Sequence, residues 1–409
     1  VATKNNEETY IGLDVGSTRI RCVVGLLEEG APLPSVIGVG ESPANGIRKG
    51  VVVDVDEAVS SITAAVEEAE RISGVAIDRA TISIDGAHVQ SQNSTGVVAV
   101  GRADQEVTVD DLNRVEEAAV AVQLPPNREI IQVFPRHFTV DSQTGIKDPV
   151  GMHGVRLEVE SHIVTGATPA IKNLDKAIYQ AGIMIQGQVL VALAASRAVL
   201  SKRQKELGTA LVDIGGGTTG IAIYEEGDIL YSGVIPVGSG HITNDIAIGL
   251  KTDIDTAERL KLKYARANAG RVSGDRAVIE ELGANAALNL NDLQDIVAAR
   301  LEELINLIRL ELKKVGKDKL LPGGVVLTGG GSKLVGIEDM VRQMLELPVI
   351  ISAPEDFTGL GNKVKDPSYA AAVGLMLENM NHSSVRSSAA NNIGQTVNKL
   401  RGMFKKFLP

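Results

Sequence analysis

Residues 211–224 read LVDIGGGTTGIAIY, and the reading of that glycine run decides the fold. Gly215, Gly217 and Gly220 match G-x-G-x-x-G. A dinucleotide-binding turn of that pattern needs a strand, the glycines, and then a helix whose N-terminus meets the pyrophosphate. Here the chain continues as GIAIYEEGDILYSGVI, β-branched and alternating, with a second turn at Glu226-Gly227-Asp228. That pattern predicts two more strands. The helix is missing, and context excludes a dinucleotide turn.

The hairpin has a twin. YIGLDVGSTRIRCVVGLLEEG, residues 10–30, runs in the same order: apolar strand, Asp14, a Gly/Ser/Thr turn, then an apolar strand ending at an acidic turn. Asp14 and Asp213 lie about half of the 409-residue chain apart, which predicts two similar domains facing one another. Glycines let backbone N–H groups approach phosphate oxygens closely, and turns aim several of them at one anion. Ser17, Thr18, Thr218 and Thr219 add hydroxyl donors. Carboxylates beside a triphosphate would repel it unless a cation lay between, so Asp14 and Asp213 imply Mg²⁺, held through its waters. A single D-x-G-[ST] turn reads equally well as a tight strand turn with a capping Asp. Two of them, in step with a domain repeat, point to a phosphate site.

Two further pieces fit the same chemistry. Residues 324–345, GVVLTGGGSKLVGIEDMVRQML, read as a buried strand, a Gly329-Gly330-Gly331-Ser332 turn and an amphipathic helix, an order suited to meeting a nucleotide. In TAERLKLKYA, residues 256–265, Glu258 and Lys261 fall one helical turn apart. By themselves they read as a solvated ion pair.

Composition bounds the alternatives. A chain of 409 residues predicts two or more domains. The formal net charge of −10 argues against coating nucleic acid, and no Trp with only five Phe leaves little for base stacking. The single cysteine, Cys22, rules out an internal disulfide, fits a reducing compartment and reads as a core side chain in RCVVGLL. The six histidines share no metal-ligand spacing. The opening VATKNNEETY is polar, without a secretory signal, and no window of ~18 apolar residues is present to span a bilayer.

Between ATISIDG (80–86) and ESHIVTGA (160–167) lies a segment of its own character. It predicts a strand in TGVVAVG, a helix starting at Thr108 and stopped by Pro125-Pro126, and strands in REIIQVFPRHFTVD and GVRLEVESHIVT. The serines at 383, 384, 387 and 388 predict a flexible tether. In NNIGQTVNKLRGMFKKFLP, Ile393, Val397, Leu400, Phe404 and Phe407 recur at helical spacing, and Met403 and Leu408 widen the stripe. Lys399, Arg401, Lys405 and Lys406 take the flanks and far side, with no acid from residue 391 onward. Such a helix lies in the interface of an anionic membrane; docking on its own domain or in a partner's groove is the alternative.

Taken together, GLDVGSTRI, DIGGGTTGIAIY, GSGHITNDIA, TAERLK and LTGGGSKL resemble the five-part nucleotide signature shared by actin, heat-shock chaperone ATPases and sugar kinases. GIRKGVVVDVDEAVSSITAAVEEAE, LVALAASRAVL and the tail narrow the resemblance to bacterial FtsA, the actin-like family that tethers the ring of tubulin-like FtsZ to the membrane. The resemblance implies an α/β, actin-like (ribonuclease H-like) two-domain fold with duplicated mixed-sheet cores, an interdomain nucleotide cleft and an inserted α+β subdomain. Its implied boundaries are a first core at 9–84 with 164–200 and 352–380, and an insert at 85–163. A second core follows at 201–245 with 316–351, then a helical subdomain at 246–315, a linker at 381–390 and a membrane-targeting helix at 391–409.

ATP with Mg²⁺ would then occupy the cleft. Asp14, Gly16, Ser17 and Thr18 would form the first phosphate loop, and Asp213, Gly215, Gly216, Gly217, Thr218 and Thr219 the second. Gly238 and Gly240 would lie near the phosphates. Gly329, Gly330, Gly331 and Ser332 would lie by the adenosine, with Glu258 and Lys261 near the ribose and base. The implied partners are the FtsZ C-terminal peptide on the helical subdomain, other copies of the chain and later division proteins at the insert, and the cytoplasmic face of the membrane at the septum; nucleic acid is not among them. One departure stands out. Hydrolysing relatives carry an acid or amide before the second hairpin, where QVLVALAASRAVL offers only Gln188 and Ser196. A positioned base is worth ~10²–10⁴ in rate, so the expectation is ATP binding with at most slow turnover. A soluble kinase or other ATPase of the same superfamily is the alternative.

Overall fold

The computed structural model describes residues 8–28, 30, 31, 33–267, 276–278, 287–355 and 357–387. The amphipathic tail expected at 391–409 lies outside the described residues. Strands β1 (Glu8–Val15), β2 (Arg19–Leu27) and β3 (Ser35–Pro43) form an antiparallel meander. The middles of β1 and β2 are buried on both faces, which is why they read as continuous apolar runs rather than as alternation. Helix α1 (Val55–Ser73) starts at Asp54, whose side chain accepts from Glu57 N, and ends at Gly74 in the left-handed conformation (φ +71°). It packs tightly on the meander: a Cβ on Gly40 of β3 would lie 1.8 Å from the Ala65 carbonyl oxygen. Strand β4 (Arg79–Ile84) then runs parallel to β1.

The chain leaves the first core at this point. Strand β5 (Gln90–Ala99), helix α2 (Val109–Val120), and strands β6 (Arg128–Val140), β7 (Gln143–Ile146) and β8 (Arg156–Ala167) build a four-stranded sheet in the order β5-β8-β6-β7 with its own small core around Val115, Phe138 and Leu157. Thr108 caps α2 with a reciprocal capping box to Asp111. Pro135 is tolerated inside β6 because the register with β8 shifts there, between Glu160 and Ser161. Strand β8 continues through Ala167, so the boundary expected at residue 163 falls inside a strand.

Helix α3 (Thr168–Gln180), strand β9 (Met184–Leu190) and helix α4 (Val191–Val199) complete the first half. The second half repeats it. Strands β10 (Thr209–Ile214), β11 (Thr219–Glu225) and β12 (Asp228–Ile235) form a second meander. Its β11–β12 turn has Glu226 and Gly227 both at positive φ, as a two-residue hairpin turn requires. Helices α5 (Ser239–Leu250), α6 (Ile254–Tyr264) and α7 (Leu290–Lys314) follow. Helix α5 crosses the boundary expected at 245/246 without a break. Strand β13 (Val325–Thr328) pairs parallel to β10, and helix α8 (Ile337–Leu345) and strand β14 (Val349–Ile351) close the sheet. Apart from a two-residue edge strand, Thr358–Gly359, that pairs with β3, the strand orders β3-β2-β1-β4-β9 and β12-β11-β10-β13-β14 are the same topology twice. This is an actin-like fold of two α/β cores with an inserted α+β subdomain.

The final helix, α9 (Ala370–Ser387), returns to the first sheet. There the Asn379 amide donates to Thr81 and Gln186 at 2.8 Å each and accepts from Ile11 N. Helix α9 also corrects an expectation: it runs into the segment read as a flexible tether from residue 381. Ser and Asn cost only a few tenths of a kcal/mol relative to better helix formers, and a helix anchored by buried Leu375 and Met376 has already passed its nucleation barrier. Among the described residues, no helix is long and apolar enough to cross a membrane.

Candidate functional site

The topology brings both acid-ended hairpins to one cavity of about 1000 Å³ between the two cores. Asp14 and Asp213 sit one residue before the ends of β1 and β10, the matching strands of the two sheets. Both are only 7% exposed and both line the cavity. The hairpin tips meet across the cleft. A Cβ on Gly216 would lie 2.3 Å from Thr18 Oγ1, and one on Gly217 would lie 2.7 Å from Ser17 Oγ. Ser17 Oγ in turn accepts from Gly50 N at 2.8 Å. The second tip is braced from below by the start of α5, where Ser239 N and Gly240 N donate to the carbonyls of Gly215 and Gly216.

Most residues singled out in the sequence line this cavity: Asp14, Gly16, Ser17, Thr18, Asp213, Gly215, Gly216, Gly217, Thr218, Gly240, Glu258, Lys261, Gly329, Gly330 and Gly331. Three do not reach it. Thr219 begins β11 fully buried, its hydroxyl donating to the Val237 carbonyl at 2.8 Å, because successive strand residues point to opposite faces and Thr218 takes the cavity side. Gly238 packs beneath the second tip, where a Cβ would lie 2.6 Å from the Gly215 carbonyl oxygen. Ser332 is buried in a short 3₁₀ turn, Gly330–Lys333, its hydroxyl donating back to Gly329 O at 2.7 Å. That turn also separates the glycines from α8, so no α-helix N-terminus follows them directly.

Glu258 and Lys261 form a network rather than a solvated pair. Lys261 is buried, with Nζ 2.7 Å from Glu258 Oε2 and 2.8 Å from Thr243 Oγ1, and Thr243 donates to the same Glu258 oxygen.

The electrostatics are those of a cation-seeking site. Burial pushes the Asp14 carboxyl above the usual carboxylate range, opposed by the Arg21 charge and a hydrogen bond with Ser83. Burial pushes Asp213 further, reinforced by the charges of Asp14 and Asp85. Among the described residues Asp213 has no hydrogen-bond or ion-pair partner. Asp85, which follows β4, joins Asp14 and Asp213 on the cavity wall, and no motif marks it. Its signal was ISIDG, strand then acid then glycine, which the domain repeat makes the counterpart of VVLTGGG after β13. Other cavity residues that the sequence motifs do not mark include Arg21, Lys49 and Val191. An unpartnered buried carboxylate beside a glycine cradle fits a bound divalent cation. No group of three acid, histidine or cysteine side chains among the described residues is arranged to ligate a metal directly.

The segment before the second hairpin presents only Val191 to the cavity. The Gln188 amide donates to Asp175. Ser196 bonds the Leu193 carbonyl and the Tyr224 hydroxyl, beside a separate cavity of about 250 Å³.

Two family descriptions match the chain: "Cell division protein FtsA" over residues 210–374 and "SHS2 domain inserted in FTSA" over residues 86–165. The Cell division protein FtsA of Pseudomonas aeruginosa is 37% identical over 387 residues, covering 94% of this chain and 92% of its own. That of Bacillus subtilis is 38% identical over 375 residues, with 91% and 83% covered, and that of Borreliella burgdorferi is 36% identical over 405 residues, with 97% and 98% covered. Among solved structures, the PilM-PilN type IV pilus biogenesis complex aligns with a TM-score of 0.66 at 17% identity, over 90% of this chain and 98% of that one. MreB5 of Spiroplasma citri bound to ADP aligns with a TM-score of 0.55 at 12% identity, over 93% and 99%. At such identities these two structures speak for the fold alone.

Proposed function

The chain belongs to the FtsA family of cell-division proteins, and from that premise we propose that it is an ATP-binding, filament-forming adaptor that anchors the FtsZ ring to the cytoplasmic membrane at the septum. MgATP occupies the cleft between the cores. The glycines of the two tips offer backbone N–H groups to the phosphates, Asp14 and Asp213 hold the cation's water shell, and Glu258, Lys261 and the 329–331 glycines border the nucleoside. Nucleotide acts as an assembly ligand and turns over slowly, since Val191, the residue that the segment before the second hairpin presents to the cavity, supplies no proton acceptor. The helical subdomain takes the C-terminal peptide of FtsZ, the insert contacts neighbouring copies and later division proteins, and the tail at 391–409 lies in the anionic leaflet.

The observation that carries this proposal is the pair of matching, buried, acid-ended hairpins opening on one cavity. One weak amphipathic helix anchors poorly alone, so attachment depends on several subunits acting together. The test is co-sedimentation of FtsZ with anionic liposomes. FtsZ should pellet only when this protein and MgATP are present, and the Phe404→Glu variant should leave both proteins in the supernatant. FtsZ pelleting equally well with that variant would overturn membrane tethering by the tail.

A further inference from the structure

Asp85 stands immediately beyond Ile84, where β4, paired parallel to β1, opens on the cavity beside Asp14. Its Oδ2 accepts the hydroxyl of Thr218 from the opposite hairpin. Its Oδ1 is buried with no hydrogen-bond partner. Native structures rarely leave such an atom alone unless something outside the chain satisfies it. The Asp213 carboxylate, 7% exposed, also lacks a partner among the described residues. The nearby cation, Arg21, is shared: its guanidinium bonds Glu41 at 3.0 Å and lies 5.0 Å over the Tyr369 ring, while its Nε is buried with no hydrogen-bond partner. Asp14, Asp85 and Asp213 therefore form a group of three neighbouring carboxylates on the cavity wall, and Arg21 is the cation that acts on Asp14 and Asp213.

We propose that Asp85 is a third carboxylate of the cation–triphosphate site, its Oδ1 accepting from a water of the divalent cation while Thr218 fixes its orientation. The inference rests on the nucleotide reading above and adds a positioning residue to it. Its competitor is that Asp85 only clips the two hairpins together. The two ideas predict opposite signs. If Asp85 touches no cation water, its charge merely repels the triphosphate, and removing that charge tightens binding with Mg²⁺ as well as without it. If it holds the cation's water, removing the charge tightens binding only without the cation.

The experiment is calorimetric titration of the full chain with ATP, in Mg²⁺ and in EDTA, for the wild type and Asp85→Asn. Asn keeps an acceptor for Thr218 on one side and replaces the free acceptor by a donor on the other. The quantity read is the gain in affinity on adding Mg²⁺. Loss of a group that orients a metal's shell typically costs 10–100-fold, so that gain should fall about tenfold or more in D85N, with ATP binding in EDTA no weaker than wild type. An unchanged gain, or tighter MgATP binding in D85N, overturns the role of Asp85 alone. A wild-type protein that takes up no ATP in Mg²⁺ overturns the nucleotide reading and the inference with it. Should D85N show no cooperative melting, Asp85→Ser undergoes the same titration with the same criteria.

Discussion

Asp14 lies directly opposite Arg21 in the register of the first hairpin. At the matching place in the second hairpin, Asp213 lies opposite Gly220, which has no side chain to offer. Directly opposed side chains on one face of an antiparallel pair are close neighbours. Asp14 thus has a cation built into its own hairpin, while Asp213 must find one elsewhere. Asp213→Ala should therefore weaken MgATP binding by about 100-fold, and Asp14→Ala by nearer 10-fold, the two ends of the range seen when a metal's supporting groups are removed. Calorimetry on the two variants checks this, and equal losses would mean that Arg21 does not discriminate between the acids.

The close approach of the two tips gives a second expectation. Thr18 stands where a Cβ on Gly216 would go, at 2.3 Å, whereas a Cβ on Gly215 would meet only its own turn, at 3.0 Å from the Thr218 carbonyl oxygen. Gly216→Ala should hold the hairpins apart and lower ATP affinity by at least an order of magnitude, as misplacement of about an ångström in a positioned site commonly does. Its thermal unfolding should stay close to wild type, since the clash is relieved by opening the cleft rather than by disturbing a core. Small-angle scattering should show the variant more extended than wild type in the presence of MgATP. Identical scattering would place the strain elsewhere.

Why some of the site was legible in the sequence and some was not is a matter of range. The twin hairpins could be read because everything that makes them is local: an apolar strand, an acid at its end, glycines, and a second strand in register. Asp85 carries the same local grammar in ISIDG, but its place in the cavity depends on β4 lying parallel to β1, a pairing that crosses the whole of α1. Thr219 and Ser332 depart from the sequence pattern for the opposite reason. They sit beside true cavity residues in sequence, yet strand alternation and a 3₁₀ turn point their hydroxyls inward. Glu258 and Lys261 looked like a surface pair at helical spacing, and only the packing of α6 on α5 brings Thr243 to them.

Val191 opens α4 on the cavity wall. Lacking a proton acceptor there, the wild type should release phosphate slowly. Val191→Gln, or Val191→Glu, would place an acceptor in reach of the cleft. A positioned base contributes ~10²–10⁴ in rate, and even imperfect placement should raise steady-state phosphate release by about tenfold. Asp213→Ala should abolish release in that background. Brisk turnover by the wild type, or no change in the Val191 variants, would show that turnover is not limited by the missing base.

Glu116 offers a test of the inserted subdomain that is independent of the cleft. It lies on α2, 8% exposed, and burial raises its carboxyl to about 7. Between its ordinary range near 4.5 and about 7 the folded state holds the proton more tightly than the unfolded chain. The neutral form is therefore favoured by folding: its contribution is complete below the unfolded value and is lost as pH rises through about 7. Glu116→Gln keeps the neutral shape at every pH. At pH 8 the variant should be more stable than wild type by at most about 3 kcal/mol, at 1.36 kcal/mol for each unit of displacement, and at pH 5 the difference should shrink toward zero. Amide hydrogen exchange within α2 reads this locally, without assuming that a multidomain chain unfolds in one step. Exchange in α2 should be slower in the variant at pH 8, after correction for the intrinsic pH dependence, and matched to wild type at pH 5. Equal protection at pH 8 would mean that Glu116 is already ionised and solvated in the folded insert.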